Sequence, residues 1–181
     1  MSFDPVAAHY VNGSYIVWHL VDIVAKGGNF QIGYGPDAEG QFHPLGVAAL
    51  EYTGRWLETN GAAIYYTRPH FRANGTMAWQ DAAASQVRYT QSKDNTTVYA
   101  TVLAGFGAAP TGAELTLADV APTTGSAVFL LGYEHEGNRT EIPIAWKQQG
   151  EAAVLSVPSA SELAAHPAVI DPGMTFVIKI A

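Results

Sequence analysis

The sequence predicts a mixed fold: a short helix–strand–helix segment of α/β type, followed by an all-β part with the pattern of an antiparallel β-sandwich. Up to residue 66, apolar positions repeat at helical spacing and glycines interrupt them. Beyond it, short runs rich in β-branched and aromatic residues alternate with turn clusters. A hydrophobic content of 48% over 181 residues supplies a sizeable core. We therefore predict two units, residues 1–66 and residues 67–181.

The first unit is predicted to contain two helices with one strand between them. Residues 14–26 are apolar on almost every side, which is typical of a helix covered on several faces, and Gly27-Gly28 ends it. The segment Phe30–Tyr34 alternates apolar residues at period two between glycines, which predicts a strand. Pro44 suits the first turn of a second helix, and Asn60-Gly61 supplies its end.

The second unit is predicted to contain eight short strands at near-regular spacing, a pattern typical of a sandwich. Its clearest hairpin joins residues 87–90 to residues 98–102 through Lys93-Asp94-Asn95. The predicted strands are 76–79, 86–91, 97–103, 114–117, 126–131, 142–146, 153–157 and 175–180.

Composition narrows the classes of function. With 9 Lys+Arg against 16 Asp+Glu, the formal charge of −7 argues against general binding to nucleic acid or to anionic membranes. The absence of cysteine removes disulfides and thiolate metal sites, and no metal or cofactor is predicted. The chain has neither a membrane-spanning apolar run nor a signal-peptide pattern at its start. We therefore expect a cytoplasmic location, unless a longer parent protein is secreted.

Three stretches of the first unit occur in an order known from one enzyme family. The first, His19–Asn29, contains leucine-valine-aspartate-isoleucine-valine and ends in glycine-glycine-asparagine. The second is the glycine-proline loop Gly35–Gly40, and the third is the tryptophan-leucine segment Gly54–Tyr65. In these residues the sequence resembles the retaining α-L-fucosidases of glycoside hydrolase family 29. Further along, the hairpin at 87–103 and the leucine-leucine-glycine stretch Val128–Gly132 extend the resemblance into the second unit.

The resemblance implies that residues 1–66 are a remnant of the C-terminal end of a (β/α) barrel and that residues 67–181 are the family's C-terminal sandwich. It also implies a parent enzyme that hydrolyses terminal α-L-fucosides with retention, so a fucosylated glycan or an aryl fucoside is the expected substrate. The family carries its aspartate nucleophile, and usually a glutamate acid/base, on earlier barrel strands, and a complete barrel needs about 250 residues. No position here matches the nucleophile motif, so we expect a truncated protein that is weakly active or inactive alone.

Four polar or aromatic residues are candidates for a remaining site. Active sites of such barrels lie at the C-terminal ends of the strands, which would place the loop after Tyr34 at the mouth. Asp37 and Glu39 are the candidate catalytic carboxylates there, although both also suit turn positions beside Gly40. Tyr34 and His43 are candidates for substrate binding.

Two alternative functions stay open. The predicted strand Phe30–Tyr34 has two unpaired edges and the first helix is apolar, which predicts a homo-oligomer formed through residues 14–60. Such an oligomer could rebuild a fucosidase site between chains, with Asp37 and Glu39 acting beside carboxylates of a neighbour. The other alternative is a non-catalytic carbohydrate-binding or structural module built on the sandwich.

Overall fold

The computed structural model describes residues 3–79, 82–103, 114–118, 120, 122–135, 138–156, 158–164 and 176–181. Its first part contains helix α1 (Gly13–Ala25) and helix α2 (Pro44–Asn60), with single 3-10 turns at Ala7–His9 and Gly61–Ala63. A short helix α3 (Ala160–Ala164) lies much later in the chain. None of these helices has the length and apolar character that crossing a bilayer requires.

Local signals explain where the two long helices begin and end. The Asn12 side chain accepts the backbone N–H of Tyr15 at 2.9 Å and caps α1. Gly27 ends α1 in the left-handed region, with φ of 81°, where a glycine is tolerated best. Pro44 occupies the first turn of α2, in which its missing N–H has no intrahelical partner to lose. Both predicted helices are confirmed.

The strand predicted at Phe30–Tyr34 is wrong for this structure. Residues 28–37 have no strand hydrogen-bonding pattern, and all strands within the described ranges begin at Thr67 or later. The physical reason is that an extended segment becomes a strand only when neighbours satisfy its backbone groups. No described strand lies beside this segment to do so. It therefore runs as an irregular connection between α1 and α2.

The described residues from Thr67 onward contain nine strands joined antiparallel into one sheet, which confirms an antiparallel all-β part. The predicted hairpin is also confirmed, because its two strands pair from Val87 with Val102 to Gln91 with Val98. Residues 157 and 175, at the ends of two predicted strands, lie outside the described residues. The strands are β1 (Thr67–Trp79), β2 (Ala82–Ser92), β3 (Val98–Val102), β4 (Glu114–Leu117), β5 (Val128–His135), β6 (Asn138–Pro143), β7 (Trp146–Gln149), β8 (Ala152–Ser156) and β9 (Phe176–Ile180), in the order β6-β5-β9-β3-β2-β1-β4-β8-β7.

The sheet folds over so that its two ends share one core. Strands from one side of β1 (β2, β3, β5 and β9) and from the other (β4 and β8) contribute to a single apolar cluster. This arrangement is consistent with the predicted sandwich. The fully buried members of the cluster include Val87, Tyr89, Val102, Leu117 and Leu130.

The helical pair covers the outer face of this sheet. A second apolar cluster, the helix–sheet core, joins the helices to β3, β5 and β9. Tyr99 and Val177 belong to it, whereas their neighbours Ala100 and Ile178 face the sheet's own core. Strand β3 is therefore buried on both faces, and the helices are firmly placed relative to the sheet. The members of the helix–sheet core are Val17, Val21, Trp56, Ala63, Tyr99, Leu131 and Val177.

Candidate functional site

The predicted substrate-binding residues lie in an aromatic cluster between the N-terminal segment and the start of α2. Tyr10 is at its centre: its ring centroid is 4.3 Å from that of His43 and 5.6 Å from that of Tyr34, and both pairs are stacked. Phe3 lies 6.2 Å from the His43 ring. The structure thus brings Tyr34 and His43 together, but through Tyr10, which covers one ring face of each.

Tyr34 is held by close packing rather than by hydrogen bonds. Its hydroxyl is buried and has no hydrogen-bond partner among the described residues. Burial, with a smaller contribution from Tyr10, raises the pKa of the Tyr34 phenol, which therefore stays neutral and keeps its proton as a potential donor. A Cβ at Gly46 would lie 3.2 Å from the Tyr10 ring and 3.4 Å from the Tyr34 ring, so glycine lets both rings approach α2.

His43 has a structural task at the N-terminus of α2. Its Nδ1 accepts the backbone N–H of Leu45 at 3.2 Å, which satisfies one of the first N–H groups of the helix. Accepting this bond requires an unprotonated Nδ1, so in this arrangement the proton of a neutral ring resides on Nε2. One ring face and one ring nitrogen of His43 are thereby engaged within the chain.

The carboxylate of Asp37 is used by its own turn. One oxygen accepts the backbone N–H of Glu39 at 3.0 Å and that of Gln41 at 2.7 Å. Gly40, with φ of 81°, completes the turn. This is the local hydrogen bonding for which aspartate is favoured in turns. Glu39 is exposed, and its carboxylate makes no hydrogen bond or ion pair with any described residue. Catalysis by either carboxylate stays a prediction.

No three histidine, aspartate or glutamate side chains gather in the described part of the chain as a metal ion would need. Charged side chains are instead brought together where α1 meets the sheet. Asp22 accepts hydrogen bonds from Arg88 of β2 and, at 2.7 Å, from Lys26 one turn along α1. The side chains of Asp22 and Arg88 are only 14% and 9% exposed, and Arg88 also donates to the Val87 carbonyl at 3.2 Å.

The pKa of Asp22 reflects two opposing effects. Burial on its own raises the pKa of the carboxyl, but the hydrogen bonds from Lys26 and Arg88 outweigh burial and the net pKa is lowered. The charged form therefore persists at neutral pH, and the ion pair ties the helical pair to the sheet. Arg88 was not predicted as a partner, because it lies 66 residues from Asp22 along the chain.

Comparison with known proteins agrees with this architecture. The sequence model of the α-L-fucosidase family matches residues 2–62. The α-L-fucosidase of Branchiostoma floridae is 32% identical over 159 residues, which make up 87% of this chain and 31% of that protein. The tissue α-L-fucosidase of Mus musculus is 30% identical over 146 residues, or 79% of this chain and 28% of that protein.

The fold is similar to that of a solved fucosidase. The crystal structure of Thermotoga maritima α-fucosidase in complex with fucose superposes with a TM-score of 0.69 at 24% identity, over 96% of this chain and 35% of that one. The residues that carry the resemblance in the first unit run from His19 to Tyr65, and all but the last three lie inside the range that the family model matches. The chain belongs to the α-L-fucosidase family and spans about a third of the length of the relatives that it matches.

Proposed function

We propose that this chain is the C-terminal part of a retaining α-L-fucosidase-type glycoside hydrolase, and that it does not hydrolyse fucosides alone. In this proposal residues 1–66 are the end of a (β/α) barrel and residues 67–181 are the accompanying sandwich. The substrate of the whole enzyme is a terminal α-L-fucoside, in a fucosylated glycan or an aryl fucoside. The nucleophile and the acid/base come from barrel strands other than the segment present here.

The engagement of Asp37 carries this proposal. Retaining hydrolysis needs two carboxyl groups about 5–5.5 Å apart, one attacking the sugar and the other exchanging a proton with the glycosidic oxygen. Asp37 instead holds two backbone N–H groups of its own turn. Both N–H groups bind the same oxygen of this carboxylate, so the Asp37 side chain is engaged in stabilising its own loop.

Exposed apolar side chains on the helical pair and in the loop before α2 support the barrel interpretation. Tyr15, Phe42, Leu45, Val47 and Leu50 are between 38% and 52% exposed. Large apolar side chains exposed in one part of the chain favour an additional layer that covers them. In a complete barrel, neighbouring strands and helices would supply that layer.

We expect no release of 4-nitrophenol when the purified chain is incubated with 4-nitrophenyl α-L-fucoside, because the proposal places the catalytic carboxylate pair on barrel strands other than the segment present here. The double variant Asp37→Asn/Glu39→Gln should give the same rate, indistinguishable from the buffer blank. Turnover by the wild-type chain that disappears in the double variant would contradict the proposal.

The same assay separates the proposal from a second candidate. The exposed apolar residues between Tyr15 and Leu50 also favour association of copies through residues 14–60, which could place carboxylates of two chains in one site. A site rebuilt in this way should give turnover that rises more steeply than linearly with chain concentration. The binding-module alternative has less support, because Tyr89 and Tyr99, two of the aromatic residues in the strands, are buried and cannot stack on a sugar.

A further inference from the structure

A groove runs along the last turns of α2, away from the aromatic cluster. Its volume is about 330 Å³, and it opens to solvent between the helix and the segment that leads into β1. It is not part of the Tyr34–His43 region, with which it shares no residue. The lining residues are Gly54, Leu57, Glu58, Gly61, Ala62 and Tyr65.

Two glycines give the groove its shape. Gly54 lies in the interior of α2, where glycine destabilises a helix relative to alanine, yet a Cβ at this position would meet no heavy atom within 4 Å. Packing within the described chain therefore does not require a glycine at position 54. The missing side chain of Gly54 makes the groove deeper at this point. Gly61 has the opposite role: a Cβ there would lie 2.8 Å from the Tyr65 ring, so the ring rests on the Gly61 backbone.

Three features of the groove favour a positively charged ligand, although Arg55, one turn before Glu58 and outside the groove lining, opposes them in part. Glu58 is exposed, lies in the last turn of α2 and forms no ion pair with a described residue. The C-terminal end of a helix carries partial negative charge, and α2 has no basic residue in its last turn to compensate it. Tyr65 is 56% exposed and offers a ring face, which attracts cations through its quadrupole.

We propose that this groove binds an alkyl cation, an ammonium or guanidinium group on a short aliphatic stem. The Glu58 carboxylate pairs with the charge, the Tyr65 ring lies against the cationic group, and Leu57 contacts the stem. The floor at Gly54 leaves room for the ligand to approach the helix backbone. The cation can be a free small molecule or an arginine side chain of a peptide, since both present the same group.

The test is an NMR titration of the full chain with N-ethylguanidinium at constant ionic strength, following the Tyr65 ring and the Gly54 amide. We expect saturable shifts at millimolar concentration and none with N-ethylurea, which is neutral and similar in shape. A parallel titration with a blocked Gly-Arg-Gly peptide distinguishes the two sources. Tighter binding of the peptide indicates an arginine side chain, and tighter binding of the small cation indicates a free ligand.

Variants locate the site. Glu58→Gln should weaken binding about fivefold, whereas Glu51→Gln, on the same helix but outside the groove lining, should leave it unchanged. Gly54→Leu should fill the groove and abolish binding while preserving the helical circular dichroism. The proposal is overturned if neither cation gives saturable shifts, if N-ethylurea shifts the same resonances, or if Glu58→Gln binds as tightly as the wild type.

Discussion

Replacing Trp56 by alanine should lower the free energy of unfolding by about 3–5 kcal/mol. Trp56 is 0% exposed and is the largest side chain of the helix–sheet core, which α1, α2, β3, β5 and β9 share. Its removal takes apolar contacts from all of these elements and leaves a cavity that a folded sheet cannot close. Since domains of this size are stable by only about 5–15 kcal/mol, the loss is a large part of the total. Urea denaturation followed by far-UV circular dichroism measures it.

Leu50→Ala on the same helix is the matched control. Leu50 is 44% exposed and does not belong to the helix–sheet core, so its truncation should cost about 1 kcal/mol or less. Equal losses for Trp56→Ala and Leu50→Ala would show that the helical pair is not anchored to the sheet as described.

Replacing Asp22 by alanine should lower the free energy of unfolding by about 3 kcal/mol, because it leaves the buried charge of Arg88 without its carboxylate. Arg88 keeps its other contacts, among them the hydrogen bond to the neutral Val87 carbonyl, but it loses the opposite charge of the Asp22 carboxylate. The measurement is again equilibrium urea denaturation at neutral pH, where Asp22 is ionised.

Lys26→Ala is the control for that variant. Lys26 binds the same carboxylate at 2.7 Å, but its side chain is 48% exposed, so solvent screens the pair and its removal should cost about 1 kcal/mol or less. A loss for Lys26→Ala as large as that for Asp22→Ala would mean that the stabilisation comes from the surface pair and not from the link between α1 and β2.

The helices and the hairpin could be predicted from the sequence because their determinants are local. Asn12, Gly27 and Pro44 act within one or two turns of the residues that they cap or stop. The strand at Phe30–Tyr34 could not be settled in this way. Period-two alternation describes a segment suited to a sheet, whereas the sheet itself has to come from other segments.

Only those features of the candidate site that depend on neighbouring residues could be predicted from the sequence. The turn role of Asp37 follows from its position beside Gly40, and the structure places it in such a turn. The stacking of Tyr10 on Tyr34 and His43 had no local signal, since Tyr10 precedes the first helix outside any periodic pattern. The alternation of side chains along β2 could have predicted which way Arg88 faces. Val87 and Tyr89 lie in the sheet's own core, so Arg88, between them, lies on the opposite face, toward the helices.

In the proposed function, no residue of this chain is the nucleophile of fucoside hydrolysis. A 2-fluoro-fucosyl fluoride tests it directly, because the fluorine at carbon 2 slows the second step of retaining hydrolysis and lets the covalent glycosyl–enzyme accumulate. Intact-mass spectrometry of the treated chain reads out the adduct and is insensitive to traces of host glycosidase. We expect an unmodified mass under conditions that label a full-length family member. A stoichiometric adduct on a carboxylate of this chain, at Asp37 or Glu39 above all, would contradict it.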